Sequence, residues 1–228
     1  MSYHIYCLNF GDKRKAAIQA SFNNAGLEDK VTYHPGILIS DVEALVGTKV
    51  KTPIYYFNSA VTMGHIAMMK MFLQTDHQYG IFCENDIKLH KDIKTKIPYY
   101  IDKMQKLHLE ILLLGYLVNT LALIGRCLLP TVFAYENYLW GAQMYILTRE
   151  KCIDLVNKYD TDYIIKAAHD SKFVVNPDAL LTKDGRRALV YPMLAVECVD
   201  DAWISPRHLA DAMFHRKCMK YNLTADFV

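Results

Sequence analysis

The feature that most constrains this chain is a repeated alternation of short apolar runs with longer amphipathic segments. The runs, rich in β-branched and aromatic residues, cover residues 5–9, 31–34, 79–83, 110–115, 132–134 and 142–147. The segments with helical spacing of apolar residues cover 12–25, 59–73, 92–108 and 148–159. Runs this short and apolar predict strands buried on both faces. Strands that alternate with helices predict an α/β fold: a three-layer αβα sandwich around a mostly parallel sheet.

Length and charge limit the number of domains and the class of partner. The 228 residues contain no internal repeat and no low-complexity linker, so we expect one domain over residues 1–228. Residues from about 200 to 228 are expected to close it as a C-terminal segment. The formal net charge of +2 is small, which argues against a nucleic-acid partner.

Several common signatures are absent from the sequence. It contains no GxGxxG, GxxxxGK[ST], GxSxG or HExxH motif, which disfavours nicotinamide, P-loop, serine-hydrolase and zinc-protease chemistry. The six cysteines are scattered without a CxxC pair, as expected for free thiols in a reducing compartment. The apolar run 111–125 is short for a membrane span, and the first residues do not resemble a signal peptide. We therefore expect a cytoplasmic protein without a membrane span, located in the host cytoplasm if the source is viral.

Acidic residues follow one of the predicted buried strands. Glu84, Asn85 and Asp86 come directly after residues 79–83. Residues two apart on an extended backbone point to the same side, so Glu84 and Asp86 can face one cleft. Their oxygens suit Mn²⁺ or Mg²⁺, with a bound diphosphate completing the coordination. The alternative is a polar turn in which Asp86 only caps a helix.

Other candidate residues have an ordinary structural explanation as well as a functional one. His65 lies in a methionine-rich helical segment and could be a buried, hydrogen-bonded histidine. His208 and His215 are seven residues apart and would share a helix face. The acids of the last third could be solvated surface charges: Asp162, Asp170, Glu197, Asp200 and Asp201.

Seven segments, in order, are similar to motifs of a single family. They are residues 5–9 with Arg14, Gly64-His65, residues 81–87, residues 110–115, residues 141–148, Asp162 and residues 192–197. In this pattern the chain resembles glycosyltransferase family 25, which includes lipopolysaccharide and procollagen galactosyltransferases. Asn85, Gly64, Ala142 and Thr161 depart from the family's motifs, whereas the outer acids Glu84 and Asp86 agree with them. The resemblance is that of a divergent bacterial or viral member.

The resemblance implies a GT-A fold that binds a nucleotide-diphosphate sugar and a divalent metal. It implies inverting transfer of a hexose, galactose or glucose, from a UDP-sugar to a hydroxyl of a glycan or glycoprotein. Glu84 and Asp86 would bind Mn²⁺ or Mg²⁺, with His208 or His215 as a third ligand. The implied donor-binding residues are Leu8, Asn9, Arg14, His65, Glu84 and Asn85. Asp162 would be the general base, and Asp201 the second candidate.

Two other functions stay open on the sequence. One is an inactive relative that serves as a binding or adhesion module; the intact acids Glu84 and Asp86 argue against it. The other is a metal-dependent phosphohydrolase on a different α/β fold, which usually requires more closely clustered Asp and His ligands than this sequence shows.

Overall fold

The computed structural model describes residues 2–47, 53–117, 124–135, 139–170, 172–197 and 225–228. The strands are β1 (Tyr3–Leu8), β2 (Val31–His34), β3 (Tyr79–Glu84), β4 (Ile87–Leu89), β5 (Ile111–Leu117), β6 (Ile124–Leu129), β7 (Val132–Tyr135), β8 (Trp140–Thr148), β9 (Arg187–Val190) and β10 (Ala195–Glu197). The helices are α1 (Asp12–Asn24), α2 (Ile39–Val46), α3 (Pro53–Leu73), α4 (Ile93–Lys106), α5 (Arg149–Lys158), α6 (Thr161–His169) and α7 (Pro177–Thr182).

The central sheet is mixed, but most of its strands share one direction. The strand order is β2-β1-β3-β8-β5-β9-β7-β6. β1 is parallel to β2 and β3, and β5 is parallel to β9. β8 runs antiparallel between β3 and β5, and β7 runs antiparallel between β9 and β6. Six of these eight described strands therefore point the same way, which confirms the predicted α/β class with a mostly parallel sheet.

Helices cover both faces of this sheet. On one face, apolar side chains of α3, α5 and α7 pack against Tyr6, Phe82 and Tyr145 of the strands. On the other, α1 and α4 pack against Ile81 and Met144. The predicted three layers are confirmed, and the apolar character of residues 79–83 follows from burial on both sides.

The predicted start of α3 is wrong, since α3 begins at Pro53 and not at residue 59, whereas α1 begins at Asp12 as predicted. At the start of α5 the Thr148 side chain accepts a hydrogen bond from Lys151 N at 3.2 Å. α6 begins at Thr161, and Asp160 is its cap, so Asp162 lies inside the helix.

The described C-terminal residues pack against the small second sheet, formed by β4 and β10. Val228 N donates to Leu89 O at 2.8 Å, and Leu89 N donates to Val228 O at 3.2 Å. The rest of the predicted closing segment lies outside the described residues. The single-domain boundary therefore stays a prediction.

Candidate functional site

A cavity of about 410 Å³ opens where β3 and β5 end. Because β8 runs the opposite way, its first residues reach the same edge of the sheet. The first half of α3, the start of α7 and the end of β10 complete the walls. The lining residues are Ile54, Phe57, Asn58, Val61, Glu84, Asp86, Leu117, Trp140, Gln143, Asn176, Pro177, Asp178 and Glu197. The edge where strands end is the usual ligand site of α/β sheets.

Four carboxylates line this cavity: Glu84, Asp86, Asp178 and Glu197. Burial raises the pKa of Glu84 well above its usual range, and the negative charges of the other three raise it further. Only Arg14 acts in the opposite direction among the causes of this shift. A cavity with this charge attracts cations and hydrogen-bond donors.

The chemistry of Glu84 and Asp86 fits a divalent metal. Mg²⁺ is usually held by one or two carboxylates together with substrate phosphates and water. Among the described residues, no three His, Cys, Asp or Glu side chains are grouped so as to hold an ion unaided. A metal at Glu84 and Asp86 would therefore need further ligands from water or from a bound substrate.

The turn after β3 is fixed by amide hydrogen bonds. Asn85 Nδ2 donates to Asn9 Oδ1 at 2.9 Å and to the Phe10 carbonyl at 3.1 Å, and both asparagines are buried. β4 begins at Ile87, so the predicted polar turn is present between two strands and Asp86 does not cap a helix. Asn9 and Asn85 thus join the ends of β1 and β3; their contact with a donor stays a prediction.

Arg14 lies beside the acids. Its guanidinium donates to Asp86 Oδ2 at 3.2 Å from the first turns of α1, and both side chains are partly exposed. From two separate motifs, the sequence predicted Arg14 as a donor-binding residue and Asp86 as a metal ligand. The structure brings their side chains into contact.

A buried chain of polar groups extends from the core to Glu84. The Tyr145 hydroxyl lies 2.9 Å from His65 Nδ1, and His65 Nε2 lies 3.6 Å from Glu84 Oε1. Burial lowers the pKa of His65 to about 3, so the ring is neutral and the pair is not an ion pair. The direction of the hydrogen bond between Tyr145 and His65 depends on which ring nitrogen carries the proton, and Nε2 is the atom that faces Glu84.

Leu8 is fully buried and belongs to the core. A Cβ added at Gly64 would lie 2.6 Å from Leu8 Cδ1, so α3 approaches β1 closely here. This close approach explains the glycine that departs from the family's Ser-His pattern. The predicted contact of Leu8 with a nucleotide stays a prediction.

Asp162, the predicted base, is not among the residues that line the cavity. Asp162 is exposed on the first turn of α6. Asp201, His208 and His215 lie outside the described residues. Their catalytic and metal-binding roles stay predictions.

Asp178 was missed by sequence analysis. Its Oδ1 accepts hydrogen bonds from Gly141 N and Ala142 N, both at 2.7 Å, which fastens α7 to the start of β8. The Asn176-Pro177 pair, a cap followed by proline at the first helical position, is the signal that could have placed it on a helix start. Glu197, which the sequence left open between a surface charge and a functional acid, also lines the cavity.

Comparison with solved structures finds distant similarity to sugar and nucleotide transferases. A glycosyltransferase involved in glycosylation of the major capsid of PBCV-1 matches at TM-score 0.44 and 9% identity, covering 94% of this chain and 98% of that one. A UDP-glucose pyrophosphorylase complexed with UDP-glucose matches at TM-score 0.43 and 10% identity, covering 94% and 81%. A mannose-1-phosphate geranyltransferase from Thermus thermophilus matches at TM-score 0.42 and 10% identity, covering 83% and 74%. These similarities are too distant to support a conclusion about activity.

No protein-family model matches the chain, and no curated protein matches it in sequence. The resemblance to glycosyltransferase family 25 therefore stays a prediction. In the described part of the chain, no helix has the length and apolar character needed to cross a membrane.

Proposed function

We propose that the protein is a metal-dependent inverting glycosyltransferase of the GT-A type. It moves a hexose, galactose or glucose, from a UDP-sugar to a hydroxyl of a glycan or glycoprotein. The observation that carries the proposal is the pair Glu84 and Asp86, side by side on the wall of a cavity at the end of β3, with Arg14 in contact.

Glu84 and Asp86 are the residues that would hold Mn²⁺ or Mg²⁺. A bound divalent cation supplies Lewis-acid stabilisation of the charge that develops on the departing nucleoside diphosphate. In this proposal Asp86 places a negative charge on the cavity wall, and that charge attracts the cation. His65 Nε2 lies 3.6 Å from Glu84 Oε1.

Arg14 binds the diphosphate in this proposal. A guanidinium can donate two parallel hydrogen bonds to phosphate oxygens. The 3.2 Å contact with Asp86 holds Arg14 at the acidic end of the cavity before the donor arrives. Asn9 and Asn85 fix the two strand ends across which the nucleotide would lie.

Inversion requires a base that takes the proton of the acceptor hydroxyl on the face opposite the leaving diphosphate. We propose Asp162 for this role, with Asp201 as second candidate. α6, which carries Asp162, packs against the first half of α3, where Tyr55 Oη donates to the Ile164 carbonyl at 2.5 Å. That half of α3 also contributes Ile54 and Phe57 to the cavity wall.

The base assignment is tested by Asp162→Asn. We expect transfer to fall by ~10²-fold or more, with donor affinity nearly unchanged and the acidic limb of the pH–rate profile abolished. Collapse of donor binding, or a persisting acidic limb, would make Asp162 a positioning residue and transfer the role to Asp201.

The function itself is tested by measuring hydrolysis and transfer with a panel of sugar nucleotides, with and without Mn²⁺. A glycosyltransferase should consume one UDP-hexose preferentially, and only with metal. Binding without turnover would favour the inactive binding module. Hydrolysis of simple phosphate esters without preference for a sugar would favour the phosphohydrolase.

A further inference from the structure

Gln143 carries a buried polar atom that no described residue satisfies. The residue is 7% exposed, and its Oε1 has no hydrogen-bond partner in the described chain. Gln143 is nevertheless among the residues that line the cavity, so the residue borders the space where a ligand would lie. A buried amide left unpaired destabilises the free protein, and a ligand that pairs it removes that penalty.

The position of Gln143 places it next to Glu84. The antiparallel register of β3 and β8 pairs Cys83 with Met144, and the next step of that register brings Glu84 opposite Gln143. Side chains of directly opposite residues lie on the same face of a sheet. A ligand group bound at Gln143 is therefore adjacent to the proposed metal and diphosphate.

The surroundings of Gln143 define the class of ligand group. Asp178 and Glu197 line the same cavity, and without a metal they disfavour an anionic group, but they accept hydrogen bonds from hydroxyls. Trp140 and Phe57 add aromatic surface to the walls. A neutral, hydroxyl-rich ring matches aromatic walls with a few convergent polar groups.

We propose that Gln143 is the residue that recognises the transferred hexose, its side-chain amide hydrogen-bonding one hydroxyl of that sugar. This inference rests on the proposed function and deepens it, since it assigns the sugar end of the donor to β8 and the diphosphate end to Glu84, Asp86 and Arg14.

The test compares Gln143→Met with Thr62→Val. Methionine keeps the length of the side chain without its amide. Thr62 is the matched control: it is fully buried on α3, its hydroxyl lacks a partner in the described chain, and it does not line the cavity. Affinities for UDP, UDP-galactose and UDP-glucose are measured by calorimetry with Mn²⁺ present, and thermal unfolding is followed without ligand.

We expect Gln143→Met to weaken UDP-hexose binding by about tenfold, to leave UDP binding unchanged and to keep or raise the unfolding midpoint. Thr62→Val should leave both affinities unchanged. The monodeoxy UDP-hexose that lacks the recognised hydroxyl should bind the wild type about tenfold more weakly than the full UDP-hexose does. It should bind Gln143→Met as tightly as the full UDP-hexose binds that variant.

Unchanged UDP-hexose affinity in Gln143→Met would overturn this inference and leave the proposed function intact. An equal loss for UDP and UDP-hexose, or a lower unfolding midpoint, would also overturn it, because Gln143 would then act in folding. A wild-type protein that binds neither UDP nor UDP-hexose would contradict the proposed function itself, and this inference with it.

Discussion

The two faces of the central sheet differ in how completely their buried polar groups are hydrogen-bonded. On the face covered by α1 and α4, Ser21 donates to the Val228 carbonyl and accepts from Leu89 N, and Lys103 donates to the Pro130 carbonyl. On the face covered by α3, one buried polar atom in each of four residues has no hydrogen-bond partner in the described chain. These atoms are Ser59 Oγ, Thr62 Oγ1, His65 Nε2 and Gln143 Oε1.

This difference separates the part of the molecule that maintains the fold from the part that holds the cavity. An unpaired buried polar group costs about 1–3 kcal/mol of stability. Such costs concentrate where a protein needs groups prepared for a ligand. His65 and Gln143 both lie next to Glu84, on the same side of the sheet as the cavity.

The strongest test of this comparison is Asp86→Asn. If the α3 face is functional, removing this charge should lower transfer by at least ~10²-fold, because the carboxylate that attracts the divalent ion is lost. Calorimetry should show weaker Mn²⁺ binding. The control is Asp184→Asn. Asp184 is an exposed carboxylate that does not line the cavity and lies 2.9 Å from the Lys158 ammonium. Full activity in Asp86→Asn would show that this carboxylate of the cavity wall has only a structural role.

The second test is the pH dependence of stability of the metal-free protein. The pKa of His65 falls to about 3 in the fold because of burial and the nearby positive charge of His34. The unfolded chain therefore binds a proton that the folded chain does not, so this contribution is complete above pH ~6.5 and is lost as pH falls toward 3. We expect a slope of up to about 1.4 kcal/mol per pH unit in that window.

The neighbour Glu84 acts in the opposite sense. Its raised pKa contributes stability that is present at low pH and lost as pH rises. Urea unfolding of the wild type and His65→Gln across this range isolates the histidine, because Glu84 is common to both proteins. Identical pH profiles in the two proteins would show that His65 does not titrate on unfolding.

The third test removes one buried hydroxyl from each face of the sheet. Ser21→Ala should destabilise the protein by about 2 kcal/mol, since it leaves the Val228 carbonyl without its hydroxyl donor. Thr62→Val should be neutral or stabilising, because no described partner is lost. Both free energies of unfolding come from urea titration. A larger loss of unfolding free energy in Thr62→Val than in Ser21→Ala would contradict the difference between the two faces.

The same contrast shows what the sequence could predict. Residues 79–83 were identified as a strand because burial on both faces forces a continuous apolar run, and Glu84 and Asp86 because they follow it. The direction of β8 was not predictable, since it depends on where the chain crosses the sheet. Its antiparallel course brings Gln143 to the cavity.

Two acids of the cavity wall depend on long-range packing. Asp178, which was missed, and Glu197, which was named without a definite role, reach Glu84 only through the packing of α7 and β10, which no local pattern encodes. Gln143 had a local signal: a polar amide inside an otherwise apolar strand.

The smallest expected effect concerns the contact between α3 and β1. Gly64→Ala should gain up to about 1 kcal/mol of helix propensity. Against this, the new Cβ would lie 2.6 Å from the fully buried Leu8 Cδ1, and overpacking typically costs about 1–3 kcal/mol. We expect a net loss near 1 kcal/mol in urea unfolding. The double variant Leu8→Val with Gly64→Ala should recover part of it, because the shortened side chain makes room for the methyl group. A stabilised Gly64→Ala protein would show that α3 can move away from β1, and the close approach would then not explain the glycine.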